Sequence, residues 1–82
     1  MIEKIEFDNE IYNIIRRNIK KYRLQKNMTA DELAEIVDVS HEFIRQIESE
    51  KVAYNCSVKT LYLISIALDV RIDKFFEESE DI

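Results

Sequence analysis

The chain has 82 residues, a net charge of -5 and 46% hydrophobic residues, with one cysteine, one histidine and neither glycine nor proline. This length allows one small domain with one core, and the missing glycine and proline argue against an all-β fold, whose tight turns depend on them. Cys56 alone cannot form an internal disulfide and His41 alone cannot complete a zinc site, so no metal and no cofactor are expected.

A long first helix is predicted at the start of the chain. Asp8 is its predicted N-cap, because a carboxylate there accepts hydrogen bonds from the first backbone N–H groups. The helix is expected to end near Lys26 or Asn27. Its apolar side chains recur at steps of four and three residues, which predicts one buried stripe: Ile11, Ile15, Ile19 and Tyr22.

Two short helices are predicted next. Thr29 is expected to cap the second helix, because Glu32 three residues later completes a capping box. Ser40 is expected to cap the third helix. The apolar faces of these two helices are predicted to be Leu33, Ala34 and Val37 on the second and Phe43, Ile44 and Ile47 on the third.

The last part of the chain predicts two further helices. Ser57 caps a fourth helix over Val58–Leu68, and a short fifth helix lies around Lys74 to Glu77, anchored by Phe75 and Phe76. The sequence therefore predicts an all-α fold of five helices in a single domain over 1–82. Its core is expected to cover about 11–77, with a frayed acidic tail at 78–82.

The second and third helices have the spacing of a helix-turn-helix. Two helices that cross at about a right angle need a small residue on the first helix, and Ala34 supplies it. Four positions later the turn needs a residue that tolerates positive φ, and Asp38 stands there. Val39 follows and is expected to insert into the core. Together with Ile44 and Ile47, these positions form a specific pattern.

These segments resemble the Cro and phage-repressor (XRE) family of helix-turn-helix domains. The resemblance rests on "IKKYR", "MTADELAEIVDVSHEFIRQIES" and "SVKTLYLISIALDVRIDKFF", and covers residues 19 to 76. It implies a five-helix, lambda-repressor-like DNA-binding domain whose third helix enters the major groove. Double-stranded DNA is therefore the expected partner.

The resemblance also implies which side chains contact DNA. Positions that face the groove in the family are occupied here by polar residues with base-pairing chemistry. Arg45 can donate to guanine, Gln46 can pair with adenine, and Glu42 can accept from cytosine. The predicted base contacts are His41, Glu42, Arg45 and Gln46. The alternative is that they are solvated residues of an exposed helix.

Phosphate contacts are expected around the N-termini of the second, third and fourth helices, where backbone N–H groups attract anions. The predicted contacts are Thr29, Ser40, Lys59 and Thr60, with Lys20, Lys51 and Asn55 as weaker candidates. A basic block over residues 11–26, with six Lys or Arg and no acidic residue, is expected to steer the phosphate backbone. Arg23 and Glu48 match a family pair that forms a structural ion pair instead.

Three positions depart from the family pattern. Ala30 stands where the family usually has a phosphate-binding glutamine, whose loss removes about one charge-assisted hydrogen bond. Asp38 and Glu50 replace two usual glycines, and the loop before Ser57 is about two residues longer than usual.

The fourth helix is apolar on more than one face, which suggests burial on two sides. Leu61, Ile64 and Leu68 form the core stripe. We expect the other side to form a homodimer through Tyr62, Leu63, Ile66, Val70, Phe75 and Phe76. The alternative is that the first helix and the terminal residues cover this face.

The sequence thus predicts a sequence-specific DNA-binding transcriptional regulator, most simply a repressor, in the cytoplasm. The alternative function is a protein-interaction module, antitoxin-like or a partner of another regulator, that keeps the fold with weak DNA binding; the acidity and Ala30 favour it. No enzyme is expected, because no glycine-rich phosphate loop and no nucleophile–base pair is legible. No small-molecule ligand and no membrane partner are predicted, since "LYLISIAL" is far shorter than a bilayer span.

Overall fold

The computed structural model describes residues 10–49 and 56–78. These residues form four α-helices and a closing 3-10 helix: α1 (Glu10–Gln25), α2 (Ala30–Val37), α3 (His41–Glu48), α4 (Val58–Leu68) and the 3-10 helix Ile72–Phe76. The all-helical architecture is confirmed. The fifth element differs from the prediction, because it is a 3-10 helix that begins at Ile72. The predicted cap Asp8, the family-departing Glu50 and most of the acidic tail lie outside the described residues.

The predicted caps form at three helix starts. Thr29 Oγ1 accepts from the Glu32 backbone N–H at 3.0 Å, while Glu32 Oε1 accepts from the Thr29 N–H at 2.8 Å, which completes the capping box. Ser40 Oγ accepts from the Phe43 N–H, and Ser57 Oγ accepts from the Thr60 N–H. Local side-chain chemistry therefore fixes where α2, α3 and α4 begin.

Left-handed residues follow α1, α2 and α4, and none of them is glycine. Asp38 has φ of 61° and its N–H bonds back to Ala34 and Glu35, as the helix-turn-helix spacing predicts. Asn27 and Asp69, with φ of 56° and 58°, take the same conformation. Short Asx side chains tolerate this region better than other non-glycine residues. The chain thus makes its tight turns with Asx residues.

One core lies between α1, α2, α3, α4 and the closing 3-10 helix. Of the predicted stripe on α1, Ile19 is fully buried, whereas Ile15 and Tyr22 pack against the core from its edge. The predicted apolar faces of the other helices are confirmed. The buried cluster comprises Ile19, Leu33, Ala34, Val37, Ile44, Ile47, Leu61, Ile64, Leu68 and Phe75.

Phe75 is the residue at which the structure corrects a predicted role. It is 0% exposed and packs inside the domain, with its ring 6.1 Å from the Tyr22 ring. Phe75 therefore has no surface to offer to a partner subunit.

Cys56, just before α4, is half-buried, and this burial raises the pKa of its thiol.

Among residues 10–49 and 56–78, no helix has the length and apolarity needed to cross a membrane.

Candidate nucleic-acid interface

Two arginines of α1 hold the end of α3. Arg23 Nε and Nη2 donate to the two carboxylate oxygens of Glu48 at 2.8 and 3.0 Å, and Arg23 Nη1 donates to the Met28 carbonyl. The two side chains are only 9% and 10% exposed. The ion pair implied by the family resemblance is therefore present, and it takes both charges away from the candidate interface.

Arg16 is the second anchor, and sequence reasoning missed it. Its side chain is buried, and Nη1 donates to the Ser49 carbonyl at 3.0 Å, directly after α3. Arg16 follows the stripe residue Ile15 in sequence and is not part of the predicted apolar stripe, so its position did not indicate burial. The basic block of α1 is consequently less available to DNA than predicted, because Arg16 faces inward in addition to Arg23, whose structural role was expected.

The outer face of α3 carries the four predicted base contacts. Ile44 and Ile47 are buried and Phe43 packs against the core, so these three side chains define the inner face of α3. Glu42 and Arg45 are exposed, and His41 and Gln46 are half-exposed. His41 and Arg45, like Glu42 and Gln46, are four residues apart and lie side by side on a helix. The structure thus brings these side chains onto one face: His41, Glu42, Arg45 and Gln46.

Acidic residues of α2 lie against this face. Arg45 Nη2 donates to Asp31 Oδ1 at 2.7 Å. The same Asp31 oxygen is 3.5 Å from His41 Nδ1, and His41 Nε2 is 3.5 Å from Glu35 Oε2. Arg45 Nη1 also lies 3.9 Å from Glu42 Oε1. Both basic side chains among the four predicted base contacts, His41 and Arg45, therefore lie beside carboxylates in the free protein.

This arrangement makes the outer face of α3 mixed in charge. The imidazole of His41 lies between two carboxylates. Among the described residues, however, no group of three or more His, Cys, Asp or Glu is arranged to hold a metal ion. The sequence analysis gave Asp31 no role at this face. Asp31 lies in the first turn of α2, and a helix-turn-helix packs α2 against α3. That position could have indicated a contact between Asp31 and α3.

The predicted phosphate contacts lie at helix N-termini or on exposed surface. Thr29 and Ser40 are exposed caps whose hydroxyl oxygens accept backbone hydrogen bonds, so each O–H group can still donate. Lys59, in the first turn of α4, and Lys20 on α1 are exposed. Thr60 is half-buried, and its Oγ1 accepts from Ser57 Oγ. Lys51 and Asn55 lie outside the described residues.

The second face of α4 remains apolar and exposed. Tyr62 is 52% exposed and Ile66 is 58% exposed, and Leu63 and Phe76 are exposed as well. Val70 is half-buried against the core. The predicted partner surface therefore loses Phe75, and α1 does not cover the exposed side chains that remain. The terminal residues, which the alternative prediction also placed over this face, lie mostly outside the described residues.

Comparison with known proteins also identifies a helix-turn-helix domain. The model of the helix-turn-helix family matches residues 19–75. An uncharacterised HTH-type transcriptional regulator of Rickettsia conorii is 37% identical over 99% of this chain and 63% of its own length. Another, of Archaeoglobus fulgidus, is 37% identical over 82% of this chain and 92% of its own length. The chain thus spans less than two thirds of the Rickettsia relative.

The chain shares its fold with a protein whose structure was solved in complex with DNA. The biofilm master regulator SinR, determined in complex with DNA, superposes with a TM-score of 0.70 at 32% identity. The match covers 77% of this chain and 98% of the SinR chain.

Proposed function

Because this chain belongs to the helix-turn-helix family of transcriptional regulators, we propose that its α3 binds the major groove of double-stranded DNA and reads base sequence there. The observation that carries the proposal is the outward face of α3, where Arg45 and Gln46 stand on a helix fixed by two buried arginines. SinR, similar in sequence and fold, was determined in complex with DNA. The family and its relatives are regulators of transcription rather than enzymes.

The proposed base contacts divide by chemistry. Arg45 donates to guanine O6 and N7, and Gln46 pairs with adenine N6 and N7. Glu42 accepts from the amino group of cytosine and repels phosphate, so it serves discrimination rather than affinity. His41, at the first position of α3, donates to a base edge or a phosphate.

Phosphate contacts set the position of α3 in the groove. Three helices begin with a hydroxyl cap, and the N–H groups of their first turns carry partial positive charge. We assign the phosphate contacts to Thr29, Ser40, Lys59 and Thr60, with Lys20, Lys51 and Asn55 beyond them.

The proposed assembly is a homodimer through the apolar face of α4. Tyr62, Leu63, Ile66 and Phe76 are exposed there, and burying them against a second copy removes large apolar side chains from water. A two-fold dimer places two α3 helices about 34 Å apart, one turn of DNA. Val70 lies at the edge of this surface.

The proposed regulatory outcome is repression, because a dimer seated on a promoter in the cytoplasm blocks access to it. A second candidate function, a protein-interaction module with weak DNA affinity, is favoured by one observation. Three carboxylates, Asp31, Glu35 and Glu42, lie within 4 Å of His41 or Arg45, the two basic side chains on the outer face of α3.

One titration separates the two functions. The protein is mixed with genomic DNA fragments at two salt concentrations, and the retained fragments are sequenced. The proposed function predicts selection of particular fragments and a log–log salt slope of several units, since each phosphate contact releases about 0.9 counterion. No retention of any fragment at low salt would instead support the interaction module.

A further inference from the structure

We infer that Asp31 of α2 is a positioning residue for DNA recognition, which holds the guanidinium of Arg45 in place and thereby sets the base preference that Arg45 confers. The inference deepens the proposed function and rests on it. Its physical basis is the 2.7 Å hydrogen bond from Arg45 Nη2 to Asp31 Oδ1, which joins the two helices of the helix-turn-helix.

The geometry leaves Arg45 able to bind a base while Asp31 holds it. A guanidinium has five N–H donors in a planar fork. The bond to Asp31 uses one of the two hydrogens of Nη2. The other Nη2 hydrogen stays available and, together with a hydrogen of Nε or Nη1 on the same edge of the guanidinium, still forms a two-point fork. Arg45 is still 54% exposed in this state. A guanine can therefore meet the fork without breaking the contact to Asp31.

Holding the side chain in advance favours discrimination. A free arginine loses rotamer freedom when it binds, and a held one has already lost it. An unrestrained arginine can also bind a phosphate or a neighbouring base, whereas a guanidinium held in one orientation matches the acceptors of one base. The pair is half-exposed in the free protein, where water screens it, and it strengthens when the groove excludes water.

The same carboxylate weakens contact with the DNA backbone. Asp31 brings a negative charge close to the phosphates, and it does so for every sequence alike. Glu35, one turn further along α2, brings an equal charge, but its partner is His41 rather than Arg45. Asp31 and Glu35 therefore have the same effect on overall charge and different effects on which base is read, which provides a matched comparison.

The experiment is selection from a random-sequence duplex pool, sequenced for the wild-type chain and four variants. Arg45→Ala first identifies the base pair that Arg45 reads. Asp31→Asn is then expected to lower the preference at that same base pair by about threefold or more, a part of the roughly 5- to 150-fold that a bidentate arginine–guanine pair provides. Asp31→Glu, which keeps a carboxylate, is expected to restore it in part. Glu35→Gln is expected to leave that base pair unchanged.

Affinity for a shuffled duplex is measured alongside. Asp31→Asn and Glu35→Gln are both expected to raise it by about two- to fivefold, because each removes one surface charge near phosphate. Circular dichroism confirms that each variant is folded at the selection temperature. The inference is overturned if Asp31→Asn leaves the preference at the Arg45 base pair unchanged or sharpens it, or if Glu35→Gln relaxes it equally. A wild-type chain that selects no sequence overturns the proposed function itself, and the inference with it.

Discussion

Arg23 on α1 and Glu48 at the end of α3 form a two-point ion pair, in which Arg23 Nε and Nη2 donate to the two Glu48 carboxylate oxygens at 2.8 and 3.0 Å. Because the pair is nearly buried, each charge depends on the other for solvation. The contact therefore determines how the C-terminal end of α3 sits on the rest of the domain.

Removing one member of this pair is expected to destabilise the fold strongly. Glu48→Ala leaves a buried guanidinium without its anion, which costs about 3–5 kcal/mol in the free energy of unfolding. Arg23→Met is expected to cost more, because the Met28 carbonyl loses its donor as well. Urea unfolding of the two single variants and of the double variant measures these losses of unfolding free energy. A double variant whose loss equals the sum of the single losses would contradict the pairing.

Asn18 is expected to be as important for the closing 3-10 helix. Its side chain is 1% exposed, and Nδ2 donates to the carbonyls of Phe75 and Glu77, each at 2.8 Å. Asn18→Leu leaves two carbonyls without this donor, at a cost of about 2–4 kcal/mol in unfolding free energy. Faster hydrogen exchange at residues 72–77 is the local readout.

The neighbouring Arg17, whose side chain is 51% exposed, gives the comparison variant for Asn18. Arg17→Ala is expected to change the unfolding free energy by less than about 0.5 kcal/mol. Equal losses from Asn18→Leu and Arg17→Ala would argue against the role of Asn18.

Asp38 is expected to be a position where glycine stabilises the domain. With φ of 61°, a residue with a Cβ is strained by about 1–2 kcal/mol, and glycine removes that strain but adds disorder to the unfolded chain. Asp38→Gly is therefore expected to raise the unfolding free energy by about 0.5 kcal/mol, whereas Asp38→Val should lower it. Urea midpoints rank the three proteins, and a glycine variant below the wild type would refute the account of this turn.

The apolar face of α4 predicts self-association. Ile66, 58% exposed, stands at its centre, so Ile66→Glu places a charge where a second copy would pack. Sedimentation is expected to show a dimer for the wild type and a monomer for the variant, with little change in unfolding of the monomer. Glu35→Gln, at an exposed position of α2, should leave the association unchanged. A wild-type monomer at high micromolar concentration would reject the dimer.

The helices and turns could be predicted because they depend on neighbours along the chain. Thr29 with Glu32, and Ser40 with Phe43, are three residues apart, and Asp38 follows Ala34 by four. Such relationships are present in the sequence itself. The same holds for the apolar faces of α2, α3 and α4.

The buried polar groups and the charge pairing of α3 could not be predicted in the same way. Asn18 lies three residues after Ile15 and four before Tyr22, so it belongs to the apolar stripe, but its polarity hid it. Arg45 and Asp31 are 14 residues apart, and only the crossing of α2 and α3 brings them together. Phe75 appeared available to a partner because its burial depends on the chain returning to α1.

The central claim is that α3 reads bases while the first turn of α4 holds phosphate, and one comparison of two variants tests it most directly. Binding of Arg45→Ala and Lys59→Ala is measured on the selected duplex and on all its single-base substitutions, at several salt concentrations. The account predicts that Arg45→Ala loses about 1–3 kcal/mol of discrimination at one base pair, while Lys59→Ala weakens every duplex alike and lowers the salt slope by about one. The same loss from both variants on every duplex would contradict it.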